Sequence, residues 1–355
     1  MTNIEQLVKV LPHNIDCALI TSDINRQYFT GMKSSAGVCL IMHDASYLLI
    51  DSRYYEKACD TVKDCEVILL TDYYVQLQEL LDRHNAKSIA VEAKNMTLSQ
   101  LKGLQVRLKD KKLDLSEGLS NFIEMLRAVK APDELDKIRS AQKIAEKAFE
   151  NVLNVIAAGK TEREIAFELD CYMLKNGAEA VSFETIVLAG ASTSLPHGVP
   201  SDKAIENNSF VLMDFGAVYE GYHSDMTRTV CVGEPTEEME QVYNIVLEAQ
   251  ELAINAARAG LKCSELDFTA RQHIKDKGYG DYFGHGLGHS VGLEVHEFPN
   301  ANSRSNTPLA SNVIMTIEPG IYLPKRFGVR IEDMIAVTSI GCENLTSSPK
   351  NLIKL

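Results

Sequence analysis

The run Phe210-Val211-Leu212-Met213-Asp214-Phe215-Gly216-Ala217 sets one carboxylate inside a segment apolar enough to be a buried strand. A charge in that setting is costly unless it is paired or coordinated. Past the turn Tyr219-Glu220-Gly221-Tyr222 a second strand is expected from His223 to Val232, and it carries Asp225. Across such a hairpin the two aspartates lie roughly opposite each other, where carboxylates repel unless they share a proton or a cation. The plain alternative for either one is an ion pair with nearby Arg228. A second cluster, Gly284-His285-Gly286-Leu287-Gly288-His289-Ser290-Val291-Gly292-Leu293-Glu294-Val295-His296-Glu297, brings three of the nine histidines into twelve positions. Its glycines disfavour helix, so His285 and His289 are expected on a loop and not paired on one helical face as in His-Glu-x-x-His zinc peptidases.

The same cluster contains Gly288-His289-Ser290-Val291-Gly292, a formal match to the G-x-S-x-G elbow of serine hydrolases. That elbow needs an apolar strand before the serine and an acid and a histidine well after it. Lys277-Gly278-Tyr279-Gly280-Asp281 is polar and glycine-rich, and the last histidine is His296. Two further carboxylates are placed by strand logic. Asn312 to Ile317 runs into Glu318-Pro319-Gly320, a strand end where proline stops ladder pairing. In Gly328-Val329-Arg330-Ile331-Glu332-Asp333-Met334 the two-residue period puts Arg330 and Glu332 on one face and Asp333 on the other. Either acid, but not both, could join one site, and residue chemistry alone does not choose. Taken singly, this segment reads as surface ion pairing.

The elements that must hold these residues divide the chain. Residues 1 to about 125 alternate β-rich runs (Cys17 to Ile20, Val38 to Met42, Tyr47 to Ile50, Val67 to Leu70, Ser88 to Val91) with helical stretches such as Val75 to His84, the pattern of a small α/β domain. A strong helix start at Lys130-Ala131-Pro132-Asp133-Glu134, followed by apolar Leu135, Ile138, Ala145, Phe149 and Val152 at helical spacing, opens a second domain near residue 126. That domain, 126–355, carries a faint repeat. Ala158-Gly159 precedes a capping box Thr161-x-x-Glu164 and the helix stops at Gly177; Ala259-Gly260 precedes Ser264-x-x-Asp267 and the helix stops at Gly278. Two helix pairs on one antiparallel sheet would give a two-fold pseudo-symmetric α+β domain with a site in its concave face.

Composition limits the partners. With 355 residues and 45% hydrophobic content the chain can bury a sizeable core. A formal net charge of −13 opposes both nucleic acid and anionic membrane surfaces, so neither is an expected partner. The sequence has no membrane-span pattern, and Met1-Thr2-Asn3-Ile4-Glu5-Gln6 lacks the basic and apolar regions of a signal peptide, which suggests a cytoplasmic protein. The eight cysteines, at 17, 39, 59, 65, 171, 231, 263 and 342, form no zinc-knuckle or redox spacing and read as buried reduced thiols.

Taken in order, Met213-Asp214-Phe215-Gly216, Ser224-Asp225-Met226-Thr227-Arg228-Thr229, Gly286-Leu287-Gly288-His289-x-x-Gly292-Leu293-x-x-His296-Glu297, Ile317-Glu318-Pro319-Gly320 and Arg330-Ile331-Glu332-Asp333 resemble the pita-bread metallopeptidases. Within that group, Leu195-Pro196-His197-Gly198 and the extra N-terminal domain resemble prolidase (Xaa-Pro dipeptidase) and aminopeptidase P. Arg26-x-Tyr28-Phe29-Thr30-Gly31 and Asp51-x-Arg53-Tyr54 extend the likeness into the first domain. The resemblance implies an α/β N-terminal domain (1–125) followed by an α+β pita-bread catalytic domain (126–355).

It also implies two divalent metal ions, manganese first and cobalt or zinc second, on Asp214, Asp225, His289, Glu318 and Glu332, and so selects Glu332 over Asp333. Asp225 and Glu332 would bridge both ions, Asp214 completing one and His289 with Glu318 the other. Four carboxylates and one imidazole suit a fairly hard ion, and two such ions can share and deprotonate a water. That water would attack the carbonyl before proline, with Glu318 moving the proton to the leaving nitrogen. His197, His285 and His296 would surround the substrate, and Arg330 would bind a substrate carboxylate or orient Asp214; His223 reads as structural. The implied partners are a peptide with proline in second position and a second copy of the chain, as a homodimer. Three alternatives share the fold: a methionine-type aminopeptidase, a non-catalytic binding protein and a metal-free amidinohydrolase relative. The last two would show eroded ligands, whereas all five stand in this sequence.

Overall fold

Strand and helix alternate through the first third of the chain and build one six-stranded mixed sheet. In the computed structural model, which describes residues 1–355, the chain separates into the units Met1–Arg127 and Ala128–Leu355. The strands of the first are β1 (Cys17–Ile20), β2 (Val38–Met42), β3 (Ser46–Ile50), β4 (Glu66–Leu69), β5 (Ser88–Val91) and β6 (Lys112–Asp114), in the order β4-β3-β2-β1-β5-β6. Of the antiparallel pairs, β2–β3 is joined by the short turn 43–45, whereas the link from β1 to β2, residues 21–37, includes a helix. The parallel joins require crossovers, which helices supply. The helices are α1 (Asn3–Val10), α2 (Asp23–Thr30), α3 (Ser52–Thr61), α4 (Tyr73–Arg83), α5 (Leu98–Arg107) and α6 (Gly118–Ala128). The two motifs noted in this unit serve its backbone. Buried Arg26 donates to the carbonyls of Thr21, Ser34 and Gly37, and Asp51 accepts from the Arg53 N–H as the N-cap of α3.

The second unit contains two helix pairs, α7 (Pro132–Val152) with α8 (Glu162–Lys175), and α9 (Glu237–Ala256) with α10 (Cys263–Asp276). Pro132 occupies the first turn of α7, and the Glu134 carboxylate accepts from the Ala131 N–H. The Thr161/Glu164 capping box forms as expected. Its counterpart does not. The N-cap of α10 is Lys262, whose N–H is taken by Glu265, so Ser264 and Asp267 lie inside the helix and Asp267 is free for other work.

The expected single sheet is divided into short ladders. The strands are β7 (Ala180–Val181), β8 (Ile186–Ala189), β9 (Ser209–Phe215), β10 (Ala217–Tyr219), β11 (Tyr222–His223), β12 (Met226–Val232), β13 (Gly288–Ser290), β14 (Glu297–Ala301), β15 (Ile314–Ile317), β16 (Gly320–Leu323), β17 (Phe327–Arg330), β18 (Asp333–Val337) and β19 (Cys342–Asn344). They pair as β12-β9-β8, β15-β18-β19, β13-β14, β16-β17 and β11-β10-β7. The breaks have local causes. Pro319, which has no N–H, separates β15 from β16. At Gly216, between β9 and β10, a Cβ would lie 1.9 Å from the Ser224 carbonyl oxygen.

Each helix pair has its own core. Phe149, Leu169, Val211, Met213 and Val230 pack with α7 and α8; Val246, Leu266, Met315, Val329 and Ile335 pack with α9 and α10. Burying each such side chain contributes roughly 1.5–3 kcal/mol.

Candidate metal centre

On β9, Val211, Met213 and Phe215 face the core of α7 and α8, so the alternation turns Asp214 to the opposite side, towards the cavity. The turn beyond it has both central residues left-handed, Glu220 at φ 47° and Gly221 at φ 81°, as a tight hairpin requires. The strand expected from His223 to Val232 is broken at Ser224-Asp225, because Ser224 folds against Gly216 and its hydroxyl accepts from the Ala217 N–H. Asp225 therefore sits in the break and Asp214 lies opposite Thr227, one correction to the simple hairpin.

His289 is on β13, not on a loop, whereas His285 precedes that strand in irregular backbone. A Cβ at Gly288 would meet the Thr316 carbonyl oxygen at 2.0 Å, so glycine allows β13 to lie against β15. There the Thr316 hydroxyl accepts from the His289 N–H (3.0 Å) and donates to Glu318 (3.2 Å). Glu332 lies between β17 and β18 and accepts from the Thr227 hydroxyl at 2.7 Å.

Ligand atoms of Asp225, His289 and Glu332 all lie within 4.8 Å of one another. His289 Nε2 stands 3.4 Å from Glu318 and 3.7 Å from Asp225. Asp214 joins through Arg330, whose Nη2 is 2.5 Å from Asp214 Oδ2. Arg330, 3% exposed, also donates to Thr227 Oγ1 (3.0 Å) and to the Tyr322 phenol oxygen (2.9 Å). That phenol is 2.9 Å from His285 Nε2, and His285 Nδ1 is 2.8 Å from the Gly286 carbonyl. A carbonyl only accepts, so Nδ1 carries the hydrogen and Nε2 accepts from Tyr322. Both nitrogens of His285 are thus engaged inside the protein.

All nine residues singled out from the sequence, His197, Asp214, Asp225, His285, His289, His296, Glu318, Arg330 and Glu332, line one cavity of about 480 Å³. Asp333 points away, to Arg228 at 2.8 Å and Lys350 at 3.0 Å, so Arg228 is a partner of neither cavity aspartate. His223 binds Ser182. Ser290 is fully buried with its hydroxyl 3.3 Å from Lys130 Nζ, which leaves no nucleophile elbow. Sequence reading missed Tyr322, Thr227 and Thr316, which looked like ordinary strand residues. For Thr227 and Thr316 the one signal was a hydroxyl two residues from Asp225 and Glu318; Tyr322 gave none. The eight cysteines are all free, but Cys59 is exposed and Cys171 and Cys342 are half-buried, so burial does not hold for every one.

Four carboxylates and one imidazole meet here around a single guanidinium. Burial first, and then Glu332 and Asp214, pushes Asp225 well above the usual carboxylate range. Burial, Glu318 and Asp214 do the same to Glu332. Burial followed by the Asp214 charge, against Arg330, pushes Glu318 up to about 8. Burial lowers His285 and His289 to about 4, with Arg330 adding to the first and His296 to the second. Asp214 Oδ1 and Asp225 Oδ1 are buried without a hydrogen-bond partner. Clustered, desolvated carboxylates with unsatisfied oxygens and a neutral imidazole fit divalent cations, which supply the missing positive charge.

The sign of the pH dependence follows for chelator-treated protein. Glu318, with a pKa of about 8 against an ordinary 4.5, keeps a proton that the unfolded chain loses, so its contribution falls as pH rises through about 8. The two histidines, at about 4 against an ordinary 6.5, act oppositely, but only below about 6.5. Between pH 6.5 and 8 the carboxyls act alone. Thermal unfolding of the metal-free chain is expected to move to lower temperature across that interval, by about 1.4 kcal/mol per pH unit for each carboxyl that stays protonated. Added manganese should flatten the slope. A rising or level midpoint in chelator would contradict the charge account.

Residues 136–339 match the model of metallopeptidase family M24, and residues 7–129 match the creatinase/prolidase N-terminal domain. The chain is 38% identical to an Xaa-Pro dipeptidase of Pyrococcus furiosus over 99% of each chain. Among solved structures, an Xaa-Pro dipeptidase from Bacillus anthracis superposes with a TM-score of 0.96 at 40% identity, and an X-Pro aminopeptidase from Thermotoga maritima with 0.92 at 40%, each covering 99% of both chains.

Proposed function

From the premise that the chain belongs to metallopeptidase family M24, we propose that it is a metal-dependent exopeptidase hydrolysing the peptide bond before proline in Xaa-Pro substrates. The observation that carries the reading is the buried cluster of Asp225, His289 and Glu332, with Asp214 and Glu318 on the same cavity wall. The Xaa-Pro class rests on relatives named Xaa-Pro dipeptidase and X-Pro aminopeptidase.

Asp214, Asp225, His289, Glu318 and Glu332 would hold two divalent ions, manganese by preference because the donors are mostly hard oxygens. Bound there, such ions polarise a carbonyl and make water nucleophilic at neutral pH. Glu318 takes a proton from the attacking water and passes it to the leaving nitrogen, a role its place on the cavity wall beside His289 supports. His197 and His296 are exposed imidazoles on the cavity wall, and one donates to the developing oxyanion. His285 has no free donor and holds Tyr322 instead. Arg330 orients Asp214 rather than meeting a substrate carboxylate. The free cysteines favour a reducing compartment, the cytoplasm, and no helix is long and apolar enough to cross a membrane. A homodimer is the assembly the family resemblance implies.

Chelation followed by manganese add-back tests the reading. Hydrolysis of Ala-Pro should fall below about a hundredth after chelation, recover with manganese, and exceed hydrolysis of Met-Ala-Ser by roughly 100-fold. Full activity in metal-free enzyme would remove the metal mechanism, and preference for Met-Ala-Ser would point to a methionine-type enzyme.

A further inference from the structure

We infer that Asp267 and Arg271 of α10 are positioning residues that act on the reaction through His285, an inference that rests on the peptidase reading above. A helical Asp-Arg pair four residues apart is usually a surface pair worth a few tenths of a kcal/mol. Here Asp267 is fully buried and accepts from the Leu287 N–H at 3.1 Å while holding Arg271 at 2.7 and 2.8 Å. Arg271 in turn donates to the carbonyls of Phe283 (2.9 Å) and His285 (2.6 Å), with its guanidinium 4.2 Å over the Phe283 ring. Residues 283, 285 and 287 are therefore all fastened to one helical turn.

Phe283 and Leu287 are also anchored by burial in the core, and the Leu287 carbonyl accepts from the Glu318 N–H; at His285 between them, the main-chain carbonyl is held by Arg271. His285 stands between Gly284 and Gly286, and the segment belongs to neither the short turn Gly280–Tyr282 nor β13. What the clamp fixes continues inward. The His285 imidazole receives the Tyr322 proton, Tyr322 receives one from Arg330, and Arg330 holds Asp214 Oδ2. A loop displaced by even an ångström would tilt this series and with it the free oxygen of Asp214, an error of the kind that costs rate more than binding. The planar fork of Arg271 makes contacts that a lysine cannot reproduce.

The test compares Arg271→Gln and Arg271→Lys, each alone and in a His285→Ala background, in manganese-loaded enzyme acting on Ala-Pro. Backbone hydrogen exchange of residues 283–287 is followed in parallel, with and without metal. Arg271→Gln is expected to lower kcat roughly 10–100-fold with KM changed less than about threefold, and to speed exchange in that segment. Arg271→Lys should lose nearly as much. Once His285 is alanine, the same substitutions should cost less than about twofold, because their route of action is gone. Equal losses in both backgrounds, or exchange unaltered at 283–287, would overturn the assignment. Failure of the unaltered enzyme to cleave Ala-Pro would instead defeat the peptidase reading, and the exchange result would still judge the clamp.

Discussion

Glu332→Gln is expected to lower kcat/KM on Ala-Pro by roughly three orders of magnitude, about 4 kcal/mol of transition-state stabilisation, without unfolding the chain. Glu332 is 1% exposed and one of its oxygens accepts from Thr227. Glutamine keeps the shape and can still accept that bond. It removes one negative charge from the triangle with Asp225 and His289 and turns an amide NH2 towards the groups proposed to hold a cation between them. Metal per chain should fall with activity, whereas Asp333→Asn, one residue on, alters a group that faces Arg228 and lies outside the cavity. Activity of Glu332→Gln within tenfold of the parent would take Glu332 out of the centre.

Arg228→Met is expected to have the largest effect on stability, about 3–5 kcal/mol, because it leaves buried groups without their partner. Arg228 is 1% exposed and fastens three stretches of chain. It donates to the Asp333 carboxylate, to the Glu332 and Thr227 carbonyls, and to those of Ser348 and Pro349. Burial alone would raise the Asp333 pKa, yet Arg228 and Lys350 hold it below the usual carboxylate range, so losing Arg228 exposes that desolvation cost. The thermal midpoint should drop by roughly 6–20 °C. Arg163→Met, which breaks a pair exposed on both sides, provides the scale and should cost less than about 1 kcal/mol. Equal drops for the two would show that the buried network adds nothing.

What could be read in advance divides along physical lines. Asp214 was legible because a lone charge inside an apolar strand needs a partner, and the helix starts at Pro132 and Thr161 because their caps lie within four residues. Asp267 was misread for the same reason: an acid near a helix start looks like a cap, and its actual partner, the Leu287 N–H, lies 20 residues away. Strand periodicity separated Glu332 from Asp333 but could not say which faced the cavity, since the deciding contact, Arg228 with Asp333, spans 105 residues. Tyr322 was invisible in an apolar strand until Arg330 and His285 were seen on its hydroxyl. The division into short ladders depends on Ser224 folding onto Gly216, a close approach that no local pattern announces.

The two helix pairs keep separate cores, yet the residues proposed as ligands come from both: Asp214 and Asp225 from the segment beside α7 and α8, His289, Glu318 and Glu332 from the segments beside α9 and α10. In chain-statistical terms a cation held by Asp225 and Glu332, as proposed, would be a reversible cross-link closing a loop of roughly 100 residues, present only while both halves are folded. Each tenfold excess of cation over its dissociation constant then adds about 1.4 kcal/mol to the folded state. Opening either half would release that link for both, so the two halves would stand or fall together. On the proposed metal centre, the lifetime of the fold would be tied to the supply of free divalent cation as well as to its own packing.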